Sequence, residues 1–89
     1  MDAKAAAIKR LRKEGYTRVF SWKDRPNKVY RTHFHLKESK IIVVDGSIRI
    51  NIEGKAGRYS KGDKIWFAKR ARHSAVVGRK GGTFVEGWR

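Results

Sequence analysis

Two histidines, His33 and His35, stand two residues apart in the stretch His33-Phe34-His35-Leu36-Lys37-Glu38, and a carboxylate follows three residues after the second. In a strand, side chains at i and i+2 point to one face. The two imidazoles would then stand side by side, and two neutral imidazoles converging from a rigid element chelate a transition metal. The chain has 3 histidines. The third, His73, heads another strand-like stretch, Ser74-Ala75-Val76-Val77-Gly78. A fold that sets His73 opposite the pair makes a three-histidine site, with Glu38 as candidate fourth ligand. The plain alternative is a set of strand histidines hydrogen-bonded to carbonyls and solvent.

Other chemistries find less support. There is no cysteine, which excludes disulfides, thiolate zinc sites and cysteine nucleophiles. No serine nucleophile with a base and no paired carboxylates can be argued. Gly78-Arg79-Lys80-Gly81-Gly82 looks suited to phosphate, but it joins strands and opens no helix. The net charge of +15 points to polyanions such as nucleic acid, because lysine and arginine contacts to phosphate drive non-specific affinity. The distribution favours a solvated basic surface with non-specific polyanion binding at low salt. The basic residues run from Lys4 to Arg89 and alternate with apolar ones, as Arg49 and Lys64 do. No run approaches the ~18 apolar residues of a membrane span, and no signal-like segment opens the chain, so the expected location is the cytoplasm.

The elements that must position the histidines follow from periodicity. At 89 residues the chain is expected to be one domain, with an N-terminal helix in 1–15 and a barrel in 16–89. Asp2 can cap a helix reaching Glu14, with Gly15 as its stop and Ile8 and Leu11 packing inward. From Tyr16 the period changes to two. Strands are expected at Tyr16–Trp22, Val29–His35, Ile41–Val44, Ser47–Glu53, Arg58–Ser60, Lys64–Ala68, His73–Val77 and Thr83–Trp88. Asp45-Gly46 reads as a hairpin turn, Glu53 to Gly57 as a second hairpin loop, and Gly78 to Gly82 as a glycine-rich connection. The run Ile41-Ile42-Val43-Val44 suggests burial on both faces. Ile48, Ile50, Ile65, Phe67, Ala75 and Val77 would line the barrel, while Trp66, Trp88 and Tyr59 would face outward and suit a homodimer face. Strict alternation puts Arg31 on the face of His33 and His35, where it would meet a carboxylate of a substrate. Short strands with glycine turns suggest a small antiparallel sandwich or barrel.

These residues resemble the cupin superfamily, specifically its small single-domain members. The resemblance rests on His33-Phe34-His35, Glu38 and Gly46 for a first motif, and on Gly62 and His73 for a second. It extends over nearly the whole chain. The chain departs from the pattern at five places. Only Leu36 and Lys37 separate His35 from Glu38, fewer residues than the pattern has there. Asn27 replaces a glycine before the first pair, Ala68 the proline and Arg70 the glycine of the second motif, and Val77 an asparagine. The resemblance implies an all-β, jelly-roll β-barrel with a short N-terminal helix. It also implies a divalent transition metal (iron, manganese, nickel, copper or zinc) held inside by His33, His35, His73 and Glu38. Members include dioxygenases, isomerases and oxalate-handling enzymes, and others only bind ligands. Two hypotheses follow. One is a metal-dependent oxygenase or related oxidoreductase acting on a small organic molecule. The other is a non-catalytic module for a small ligand or a polyanion.

Overall fold

The structure, a computed structural model, describes residues 2–89. Helix α1 spans Ala3–Lys13, and the Asp2 carboxylate caps it by accepting from the Ala5 N–H at 2.7 Å. Gly15, with φ of 95°, takes the left-handed conformation that ends the helix and turns the chain into the sheet. Ala7 and Leu11 are its buried residues. Glu14 anchors its far end, with Arg10 at 2.9 Å and Lys40 of the third strand at 2.7 Å. Hydrogen bonds from Lys40 and Arg10 lower the Glu14 pKa to about 2.

Six strands follow: β1 Arg18–Asp24, β2 Val29–His33, β3 Ser39–Ile52, β4 Lys55–Ser60, β5 Lys64–Phe67 and β6 His73–Trp88. Every pairing is antiparallel. The order is β1-β6-β3-β4, with β2 also on β6 and β5 also on β3. Two long strands therefore carry the fold. Asp45-Gly46 makes no hairpin, and residues 78–82 are no loop between separate strands. In both places the strand continues through a bend, and the register between β3 and β6 shifts at Val43/Asp45 and at Gly46/Ile48. A β-turn and a bulge ask for the same glycine at positive φ, so the dipeptide does not distinguish them. The hairpin that does form is β3–β4, over Glu53-Gly54 alone. Ile52 pairs with Lys55, and the φ values of 49° and 86° are those of a type I′ turn.

The bends fold the two halves of the sheet face to face. Ile41, Val43, Ile65, Phe67 and Phe84 from one half meet Ile48, Ile50, Ala75 and Val77 from the other in one core. A second core forms beneath the helix, where Ile42 and Val85 meet Ala7, Leu11 and Tyr16. Ile41 to Val44 is thus covered on both faces, the odd positions by the barrel and the even ones by α1. Trp66 faces outward, but Trp88 and Tyr59 do not. Tyr59 stands opposite Ile48 and packs on the main core, and Trp88 shares the inner face of Phe84 and Glu86.

The bend itself is a close approach of backbones. Gly46 has φ of 75° and pairs with Gly82; a Cβ at Gly46 would collide with the Gly81 carbonyl oxygen and lie 2.7 Å from the Gly82 Cα. Gly46→Ala is expected to lower stability by roughly 2–4 kcal/mol through positive-φ strain and overpacking. Urea unfolding checks this, and a midpoint unchanged from wild type would refute it.

Candidate metal centre

His33 ends β2 and is the register partner of His73 at the start of β6. His35 lies two residues beyond the strand, and its carbonyl accepts from the Arg70 N–H at 2.7 Å. Arg70 holds φ of 63° there, so an arginine adopts the left-handed turn for which glycine is the easier residue. The three imidazoles converge, with ring centroids 4.3 Å apart for His33–His73, 5.1 Å for His33–His35 and 5.2 Å for His35–His73. One nitrogen from each lies within 4.8 Å of the others, a grouping suited to one ion.

The tautomers suit the same purpose. His33 Nδ1 is 2.7 Å from the Arg31 carbonyl oxygen, and His73 Nδ1 is 2.9 Å from that of Ala71. A carbonyl only accepts, so both Nδ1 atoms carry the proton and both Nε2 lone pairs are free. Metal-ligating histidines are oriented in this way. A set of three neutral nitrogens fits iron, nickel, copper or zinc by ligand type, and manganese less well.

Glu38 is not brought to the histidines. It precedes Ser39 in extended chain, and Ser39 is buried, so Glu38 falls on the outer face. There its carboxylate accepts from Trp66 Nε1 at 2.6 Å and from Arg89 at 3.0 Å, and these bonds, Arg89 first, lower its pKa. Arg31 is not on the histidine face either. The register of β2 shifts between Tyr30 and His33, and this irregularity breaks the alternation, so Tyr30 and His33 both face inward and Arg31 is exposed on the outer surface beside Val29 and Arg49.

The histidines stand at the edge of a cavity of about 310 Å³. Its walls are chiefly apolar, and Phe20, Trp22, Tyr30, Phe67 and Trp88 supply the aromatic surface. Trp22 Nε1 and Tyr30 Oη both donate to Asp24, at 2.8 and 2.7 Å, which draws their polar ends away from the space their rings enclose. Desolvation, then Asp24, raises the Tyr30 pKa to about 12, so its hydroxyl stays protonated. Glu86 is the one carboxyl in the walls. It is 7% exposed, and burial raises its pKa against the opposing influence of Trp88, Ser39 and His33. Trp88 Nε1 and Ser39 Oγ are buried and reach no hydrogen-bond partner among the described residues. The signal for Glu86 was present in the alternation Phe84, Glu86, Trp88, which sets one acid between two inward aromatics.

No protein-family profile matches the chain, and no curated protein sequence does. Solved structures do. An RmlC-like cupin from Shewanella frigidimarina superposes with a TM-score of 0.69 at 21% identity over 79% of this chain and 64% of that one. KdgF from Halomonas sp. gives 0.71 at 24% identity, over 79% and 66%. A variant of oxalate decarboxylase from Bacillus subtilis gives 0.73 at 20% identity, over 79% and 20%. The chain thus spans less than two thirds of each of these structures, and at these identities the likeness is one of fold.

The cluster predicts a pH dependence of the metal-free protein. Burial, then the neighbouring histidines, lowers the His35 pKa. Burial also lowers that of His73, with the Ala71 carbonyl opposing it. A histidine whose folded pKa lies below its unfolded one takes up its proton more readily unfolded. Its contribution is complete above about pH 6.5 and is lost as pH falls through the lowered values. Glu86 acts in the opposite sense, over a window opening upward from its ordinary value of 4.5. The melting temperature should therefore fall as pH drops from 6.5 to 5.5, and His35→Gln should flatten that slope. Equal slopes in both proteins would refute the assignment.

Proposed function

We propose that this chain, whose fold is that of the cupins, holds one divalent transition metal on His33, His35 and His73 and oxidises a small organic molecule with dioxygen in the adjoining cavity. The observation that carries the reading is the convergence of three imidazoles, two with Nδ1 tied to backbone carbonyls, on the edge of an apolar cavity. When bound, the ion would supply Lewis acidity and open positions for water, dioxygen or substrate. Iron, manganese, nickel, copper and zinc are the candidates, and the Bacillus subtilis oxalate decarboxylase carries Mn(II) centres.

The chain's own residues do the rest. Phe20, Trp22 and Trp88 exclude water from the space beside the histidines and hold an apolar substrate body. Glu86, the only carboxyl of the walls, would hold or accept a proton from a substrate hydroxyl. Arg31 and Glu38 take no part, because both side chains lie on the outside.

A second reading, a polyanion-binding surface, is favoured by one observation. Arg49 and Arg58 stand directly opposite each other on β3 and β4, both exposed and neither in an ion pair among the described residues. Like charges so placed repel until an anion lies across them.

Elemental analysis tests the first reading. Protein isolated without an affinity tag should contain about one transition metal per chain. His33→Ala should lose it and Glu38→Gln should keep it; full loading of His33→Ala would sink the three-histidine centre. The second reading predicts binding to single-stranded DNA that survives chelation, falls steeply between 50 and 200 mM salt, and weakens in Arg49→Ala/Arg58→Ala. Binding that ignores salt would dismiss it.

A further inference from the structure

Net charge suggests that cations should be everywhere, yet no lysine or arginine is among the residues lining the cavity. Two cations reach its aromatic walls from outside. Lys28 lies 5.6 Å from the centre of the Tyr30 ring, whose hydroxyl is already bound to the Asp24 carboxylate. Arg18 lies over two rings, 5.5 Å from Trp88 and 6.0 Å from Phe20. It precedes Phe20 and Trp22 at two-residue spacing on β1, and those two line the cavity, so Arg18 continues the inner face of the strand to the rim. Trp88, the ring it covers, also stands 5.0 Å from His35. The guanidinium is exposed, and it is in no ion pair among the described residues.

We infer that Arg18 is a specificity-determining residue that receives a carboxylate at the rim of the cavity, so that the ligand is a small carboxylate with an apolar body. Two aromatic rings, set edge to face with centroids 5.8 Å apart, lie beside the guanidinium while its N–H groups remain free, which suits bidentate capture of a carboxylate. The side chains behind it offer no lysine or arginine, so the part of the ligand that lies among the aromatic rings, away from the histidines, is uncharged. A second carboxylate set among the aromatic rings, away from the histidines, would face Glu86 without a partner. This is the place that strict alternation gave to Arg31, and the inference rests on the reading of this cavity as the ligand site beside the metal.

The test uses 3-phenylpropionate and its neutral counterpart 3-phenylpropanol, titrated into protein dialysed against a chelator, so that no ion competes with Arg18 for the carboxylate. The readout is the indole N–H signals of Trp22 and Trp88, with exposed Trp66 as internal control. Both compounds should move the first two signals and leave the third. The carboxylate should bind about tenfold tighter than the alcohol, from a charge-assisted hydrogen bond. Arg18→Gln should abolish that preference while leaving affinity for the alcohol within about twofold, and Lys28→Gln should change neither. Equal affinity of wild type for the two compounds overturns the inference. So does a preference that survives Arg18→Gln or disappears in Lys28→Gln, or a failure of both compounds to move Trp22 and Trp88. Metal content is read on the same preparation before dialysis. A metal-free preparation that keeps the carboxylate preference sinks the metal centre alone.

Discussion

The antiparallel pairing of β3 with β6 is the constraint on which the molecule depends. These two strands run the length of the fold, and every other strand hydrogen-bonds to one of them. They can face both halves of the barrel only by bending together, and they bend where Gly46 meets Gly81 and Gly82. The site inherits its geometry from that bend. Below it, β6 carries Ala75 and His73 inward; above it, Phe84, Glu86 and Trp88. The change of parity across the bend brings the buried acid and the histidine of one strand into one cavity.

The same pairing explains how the histidines come together. His33 and His73 are register partners, so their separation is that of neighbouring strands and is set by backbone hydrogen bonds. His35 is held by a different device, the Arg70 N–H on its carbonyl, in a turn whose arginine sits at positive φ. That conformation costs an ordinary residue about 1 kcal/mol relative to glycine. Its persistence shows that the hydrogen bonds around it, rather than local preference, determine the turn.

Much of this was legible in the residues. The double burial of Ile41 to Val44 and the inward set Ile48, Ile50, Ile65, Phe67 and Val77 follow from alternation, and the barrel holds them as alternation says. The three histidines do come together, although His35 lies beyond the strand that alternation assigned to it. What alternation cannot carry is a break in itself. The irregularity between Tyr30 and His33 reverses the faces of everything before it, placing Tyr30 inside and Arg31 outside. The bends at Gly46 and at residues 78–82 do the same to β3 and β6 while presenting the residue signature of turns. Glu38 illustrates a further limit. Its partners are Trp66 and Arg89, 28 and 51 residues away, and nothing local announces that they will claim the carboxylate.

Charge adds a last constraint on what the site can hold. A protein of net charge +15 raises a repulsive potential against any cation, and three imidazoles add no negative charge to offset it. The potential is long-range, however, and the basic side chains are spread over the surface, where salt screens them over a Debye length of about 8 Å. Metal–nitrogen bonds act at about 2 Å and are not screened. Burial also works in favour of the ion, since it lowers the His35 and His73 pKa values and so removes the proton that competes for each nitrogen. A fourth ligand with negative charge would strengthen the hold, and Glu86 is the nearest candidate in kind, but it lies outside the 4.8 Å grouping of the three nitrogens. A metal held on the three histidines would thus have neutral ligands in a positively charged shell. Such an arrangement would leave a dication with its full charge, and an anionic group of a ligand as the natural complement.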